Sequence, residues 1–264
     1  MQRRRFRYPR TSSLWDRRAE IFDKSVVQGE LENRTLFERW KSLIQKTLAD
    51  TKKERILDVG TGSGFLAIIL AELGHEVYGV DISPMMLKIA RERAAKRSLK
   101  INFQVGDATD LSNFPPNTFD AVFTRYLTWT LPDLVKAYAE WQRILRFGGK
   151  LIIIDGEWFK NHQLLSRKIW RYLAWILVYL TERHKLPQKG ELVSHELPAA
   201  KMERPEEDIR ILKSLGYKLL DLKPNIYPTI YKGLHGKFEY LKRGYWGPAF
   251  MIVVKKEKIG ENHD

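Results

Sequence analysis

The stretch "RILDVGTGSGFLAIIL", Arg55 to Leu70, decides the fold. A short apolar run of strand character leads into glycines at 60, 62 and 64, and these lead into an apolar helical segment. Glycine has no Cβ, so such a loop can turn tightly and bring backbone N–H groups close to a ligand. The stretch therefore reads as strand, ligand-cradling turn and helix. Gly74 follows as the helix stop.

Outward from this stretch, the chain alternates helix and strand from about residue 35 to 155. Leu36, Trp40, Leu43, Ile44 and Leu48 recur at helical spacing. "EVYGVD", "INFQVGD", "PPNTFDAVFT" and "KLIIID" read as further strands. Ser83 and Pro84 stand where a helix cap and first turn belong, ahead of "MMLKIARERAAKR". "LPDLVKAYAEWQRIL" reads as a helix and "RFGGK" as a turn. Strands separated by helices of this length imply an α/β architecture, a parallel sheet with helices on both faces. Beyond Asp155 the rhythm breaks into a long aromatic, basic segment. "RPEEDIRILKSLG" then resumes as a helix, and "YKLLDLKP" and "PAFMIVVKKEK" as strands. No helix long enough for a sure parallel crossover separates those two strands, so the last one is expected to run antiparallel. The expected divisions are a basic arm and helix (1–34), an α/β core (35–155), a helical cap insertion (156–203) and a C-terminal helix and strands that complete the sheet (204–264).

Composition narrows the function classes. The 264 residues are 44% apolar and 30% charged, enough for one core with an added cap. Lys and Arg number 46 against 32 acids, a net charge of +14. That balance suits an anionic partner: nucleic acid, an acidic lipid surface or an acidic small molecule. Residues 1–18 hold seven Arg and one acid, Asp16. There is no cysteine, which excludes disulfides, thiolate metal sites and cysteine nucleophiles. "MQRRRFRYPR" lacks the apolar segment of a secretory signal. The longest apolar run, "YLAWILVYL", is too short to span a bilayer. A cytoplasmic location is expected.

Three ligands compete for the glycine loop. A P-loop needs Lys after its last glycine, and none follows Gly64. "GSGFLA", Gly62 to Ala67, satisfies a dinucleotide pattern, and Asp81 lies 19 residues after Gly62. A nicotinamide cofactor thus stays open on motif alone. Asp58, two residues before the first glycine, favours a cation instead. A carboxylate there repels a pyrophosphate but suits the ammonium and sulfonium of S-adenosylmethionine.

At these residues the sequence resembles the class I S-adenosylmethionine-dependent methyltransferases, in particular the small-molecule group called type 11. "ILDVGTGSGFLA", "VDISPMML", "GDATDLSNFPPNTFDAVFT" and "EWQRILRFGGKLIIID" carry the resemblance, in order, over about residues 55–155. It implies a Rossmann-like seven-stranded sheet, mostly parallel with an antiparallel last strand, plus a helical cap. It also implies S-adenosyl-L-methionine as cofactor and S-adenosyl-L-homocysteine as product. By this resemblance Asp58, Gly60, Thr61, Gly62 and Gly64 surround the methionyl part. Asp81 meets the ribose, Ile82 and Met86 lie at the adenine, and Asp107 and Ala108 meet its edge. No His, Asp or Glu cluster has metal spacing, so no metal is expected.

The reacting end is expected beyond the fourth and fifth strands, where open sheets bind ligands. Arg125 and Tyr126 are candidate contacts to a carboxylate, and Trp129 either lines the pocket or packs beneath the next helix. The Asn/Asp-Pro-Pro-aromatic signature of nucleic-acid amino methyltransferases is missing from "RYLTWTLPD". Trp158 and His162 stand where substrate should enter. His162 and His195 are candidate bases by their ordinary pKa, and Tyr126 is the third catalytic candidate. The cap segment "KIWRYLAWILVYL" reads as a lid, plain core or dimer contact, with an interfacial helix on acidic lipid as the alternative. Tyr8, Trp15 and Phe22 are expected to complete the pocket. The acceptor is expected to be a small apolar, aromatic or anionic molecule. An RNA substrate, a non-catalytic binding module and a nicotinamide oxidoreductase remain the alternatives.

Overall fold

Seven strands form one sheet in the order β3-β2-β1-β4-β5-β7-β6. They are β1 (Arg55–Val59), β2 (Glu76–Asp81), β3 (Ile101–Val105), β4 (Phe119–Arg125), β5 (Leu145–Gly156), β6 (Tyr217–Lys223) and β7 (Ala249–Lys256). The computed structural model describes residues 9–23, 27–48, 53–156, 165–181, 202–233, 237, 241 and 248–257. Strands β1 to β5 pair in parallel. β7 runs antiparallel to both β5 and β6, as expected for the last strand.

The "RFGGK" segment departs from its reading as a turn. It lies inside β5, which begins at Leu145. β4 advances from Phe119 to Ala121 while β5 advances from Leu145 to Lys150, so the extra residues bulge out of the ladder. Gly149 permits this, since a Cβ there would meet the Asp120 carbonyl at 2.8 Å.

Helices cover both faces. α1 (Pro9–Phe22), α2 (Gln28–Glu32), α3 (Arg34–Leu48), α4 (Phe65–Glu72) and α9 (Tyr227–Ile230) lie on or near one face. α6 (Leu134–Ile144) and α8 (Glu206–Ser214) serve the other. α5 (Pro84–Lys96) packs along β2, β3 and α1. The helical spacing read in α3 is the buried face: Leu36, Phe37, Trp40, Leu43, Ile44 and Leu48 are all inside. Ser83 caps α5 by accepting from the Met86 N–H at 3.2 Å.

The basic N-terminal segment is helical over its described part and is bonded to the core. Ser12 donates to the Ile82 carbonyl at 3.0 Å, and Ser83 donates to Asp16 at 2.6 Å. Arg93 forks onto Asp23, with one contact at 2.6 Å. These bonds seat α1 across the ends of the strands. The cap helix α7 (Leu165–Thr181) is not plain core. Leu165, Ile169, Leu173 and Leu180 are more than half exposed.

A buried ion cluster joins the far face. Arg204 forks onto Asp208 with two contacts of 2.7 Å and lies 3.5 Å from Asp155. Tyr138 donates to Asp208, and Thr128 to Asp155. The cluster links β5, the short 3-10 turn at Thr128–Thr130, α6 and the start of α8. Removing one member of a buried pair strands the other charge in low dielectric. Asp208→Ala should therefore lose about 3–5 kcal/mol of unfolding free energy in urea titration. A loss below about 1 kcal/mol would show that the cluster does not hold this face.

Candidate functional site

The glycine loop is shaped by two carboxylates at neighbouring strand ends. Asp58 is the next-to-last residue of β1 and is fully buried. Its Oδ2 accepts from the Thr61 hydroxyl at 2.6 Å and from the Ala67 N–H at 3.1 Å. Asp81 ends β2, and its two oxygens accept from the Gly62 N–H at 2.8 Å and the Ser83 N–H at 2.9 Å. Gly60, Gly62 and Gly64 all have positive φ, at 67°, 53° and 90°. A Cβ on Gly60 would meet the Leu127 side chain at 2.7 Å, whereas one on Gly62 would enter open space. The open space is a cleft bordered by the loop, and it is where a ligand backbone could lie close.

The cleft holds about 780 Å³, counted out to solvent. One end is lined by Asp81, Ile82, Met86, Asp107 and Ala108. Asp107 is held by the Thr109 N–H and hydroxyl, both at 2.8 Å. A second, smaller space behind Gly60 and Gly62 is lined by Asp58, Thr61, Ser63, Phe65 and Arg125. Phe22, Arg125 and Tyr126 border both spaces. The structure thus brings together the whole set of residues assigned above to a methionyl, ribosyl and adenine ligand, apart from Gly64. Gly64 sits close against α5, with Ala90 3.1 Å from the place of a Cβ.

Arg125 is buried rather than a surface ion pair. Its Nη2 donates to Glu30 at 2.6 Å, and its guanidinium lies 4.0 Å from the Phe65 ring centre and 4.5 Å from that of Tyr126. Burial opposes its charge, but Glu30 more than offsets this and leaves its pKa above the ordinary value. Tyr231 donates to the other oxygen of Glu30 at 2.7 Å. Glu30 was not legible as a site residue, because it lies 95 positions from Arg125 in the sequence. Arg125 Nη1 and Ser63 Oγ are among the buried polar atoms that have no hydrogen-bond partner among the described residues. Both residues line the smaller space. Two orphaned groups beside one cavity fit a polar ligand that would satisfy them.

Trp15, Phe22, Leu127, Leu131 and Pro132 give the main cleft an apolar rim. Tyr126 stands between the two spaces with φ 57°, a left-handed conformation uncommon outside glycine. Its hydroxyl lies 3.4 Å from that of Tyr227. Trp129 lines neither space and packs against α1 rather than beneath α6: its indole N–H donates to the Tyr126 carbonyl at 2.8 Å and its ring meets Trp15 edge-on. Tyr8, Trp158, His162 and His195 lie outside the described residues. Among the described residues no group of His, Asp or Glu has the arrangement of a metal site.

Comparison with known proteins agrees with this geometry. Residues 57–153 match the family described as a methyltransferase domain. A demethylmenaquinone methyltransferase from Thermus thermophilus is 39% identical over 51% of this chain and 64% of its own length. One from Deinococcus radiodurans is 30% identical over 75% of this chain and 84% of its own length. A solved structure of a Pyrococcus horikoshii protein superposes with a TM-score of 0.58 at 21% identity, covering 91% of this chain and 99% of the other.

The two loop carboxylates also carry a stability signature. Burial pushes Asp58 up to about 7, against the bonds from Thr61 and Ala67, and pushes Asp81 up to about 6. A carboxyl that holds its proton more tightly folded than unfolded favours folding at low pH. Its contribution fades as pH rises from about 4 to the folded value. Asp58→Asn keeps an oxygen to accept both bonds and removes the buried charge. The ligand-free variant should gain on the order of 2 kcal/mol at pH 8, with a smaller gain at pH 5. Equal stability of variant and parent at both pH values, read by thermal melts, would contradict the raised pKa.

Proposed function

Because the chain belongs to the class I S-adenosylmethionine-dependent methyltransferases, we propose that it transfers a methyl group to a small apolar, ring-bearing acceptor bound under the N-terminal helix. One observation carries the cofactor reading. A buried carboxylate, Asp58, shares its cavity with the two orphaned polar groups Arg125 Nη1 and Ser63 Oγ. That set complements a zwitterion, one ammonium and one carboxylate. A pyrophosphate would find no such match beside Asp58.

S-adenosylmethionine, when bound, supplies a methyl group already activated on a positive sulfur. The chain's own task is to hold and align. Arg125 Nη1 and Ser63 would take the cofactor's carboxylate, and Asp58 its ammonium. Asp81 keeps lone pairs beyond those used by Gly62 and Ser83, and these accept from the ribose hydroxyls. Ile82 and Met86 would pack on the adenine, with Asp107 and the Ala108 backbone at its edge. The loop is already in shape through Asp58 and Asp81, so little ordering is needed on binding. Alignment of nucleophile, methyl and sulfur can supply about 7–11 kcal/mol of the barrier. Transfer forms the acceptor–methyl bond as the carbon–sulfur bond breaks, and the acceptor releases one proton.

The acceptor is read from the apolar rim of Trp15, Phe22, Leu131 and Pro132, and from the names of the relatives. A quinone-type ring fits both. Tyr126, whose hydroxyl lies near that of Tyr227, would hydrogen-bond an acceptor oxygen. His162 and His195 are the proposed proton acceptors. The basic surface alone does not favour an RNA substrate over this apolar cleft.

Calorimetry should show binding of S-adenosylmethionine and S-adenosylhomocysteine, lost by at least about tenfold in Asp81→Ala. No binding of either compound would overturn the reading. Cofactor affinity should rise with pH between about 5.5 and 7 and then level, because Asp58 must give up its proton to meet a cation. A flat profile would remove Asp58 from the site. With demethylated quinones in reduced form, Tyr126→Phe should lower kcat about 10- to 100-fold at unchanged cofactor affinity. An unchanged kcat would reduce Tyr126 to a wall residue.

A further inference from the structure

The outer side of α7 is apolar over its whole length. At 100° per residue, Leu165, Ile169, Leu173, Ile176 and Leu180 share a sector about 80° wide. Leu165 is 72% exposed, Leu180 66% and Leu173 55%. The opposite side faces the protein: Ala174 is buried, and the Trp170 indole donates to the Leu241 carbonyl at 3.1 Å. A helix normally turns such a stripe inward, and an exposed apolar patch of this kind marks an interaction surface.

We infer that this face of α7 docks the protein on an acidic phospholipid surface, with the helix lying in the plane of the interface. Three observations select that partner. Charge is the first. The chain carries +14, α7 contains no acid, its exposed Lys168 lies beside the apolar stripe, and Lys232 and Lys237 are exposed as well. Anionic lipid attracts such a surface, whereas two copies of a +14 chain repel each other. Length is the second. The 17 residues of α7 extend about 26 Å, and among the described residues no helix is long and apolar enough to cross a membrane. A helix of this kind lies on a bilayer rather than through it. The third is the polar backing. An isolated interfacial helix needs a broad polar face, and by sequence α7 looks too thin on that side. In the fold, the inward side packs on the protein, and only the apolar side needs a medium.

The surface stands apart from the acceptor proposed above, because vesicle binding is read without turnover. Cosedimentation of the full chain with phosphatidylglycerol vesicles should show binding that phosphatidylcholine vesicles do not support. Ile169→Glu with Leu173→Glu should weaken it at least about tenfold, leaving cofactor affinity and far-ultraviolet dichroism as in the parent. If that pair does not fold, Leu165→Ser with Leu180→Ser tests the same stripe. Equal binding to both vesicle types overturns the inference. So does undiminished binding by the variants, the result expected if bulk positive charge alone, open equally to RNA, is responsible. A dimer in light scattering that these substitutions dissolve would assign the face to a second copy and overturn it as well.

Discussion

Two carboxylates, the buried Asp58 and the half-buried Asp81, hold the glycine loop, and the site depends on them. Asp58 and Asp81 lie at the ends of adjacent parallel strands, so their side chains emerge on the same edge of the sheet. Each accepts backbone N–H groups of the turn or of the helix that follows. These bonds, with the positive φ angles at Gly60 and Gly62, set the loop before any ligand arrives. The cost is electrostatic. Burial lifts both pKa values toward neutrality, so at physiological pH the empty fold carries charge where water cannot screen it. Such strain is common at functional sites, where a ligand of opposite charge relieves it.

The same logic explains Arg125. A guanidinium nine-tenths buried is tolerable because Glu30 pairs with it and three aromatic rings, of Trp40, Phe65 and Tyr126, surround it. Glu30 comes from α2, which is how the N-terminal region reaches the site. α1 lies on the strand ends through Ser12, Asp16 and Asp23, and places Trp15 and Phe22 at the rim. The N-terminal segment is thus both a wall of the cleft and a source of its buried charge. On the far face, Arg204, Asp155 and Asp208 anchor the 3-10 turn that precedes Leu131 and Pro132, so the acceptor side is fixed by a separate cluster.

The sheet was legible because its signals are local. Apolar runs, helical periodicity and the glycine spacing each span fewer than about twenty residues, and the physics that reads them is backbone geometry and burial. The cofactor residues were legible for the same reason: they sit at strand ends, a position that chain order alone specifies in a parallel sheet. The "RFGGK" bulge was misread because glycine pairs signal turns and bulges alike, and only pairing with β4 separates them. Trp129 could not be assigned between wall and packing until Trp15, 114 positions away, stood beside it.

By itself the sequence determined the α/β order, the antiparallel last strand and the place of the glycine cradle, because each follows from residue types within one element and its neighbours. Tertiary structure alone decided that Asp58 and Asp81 hold protons near neutrality, that Arg125 is paired with Glu30 while one of its nitrogens stays open to the cavity, and that α7 turns its apolar side outward. Those properties depend on desolvation and on contacts between residues tens to hundreds of positions apart, and the linear pattern carries neither.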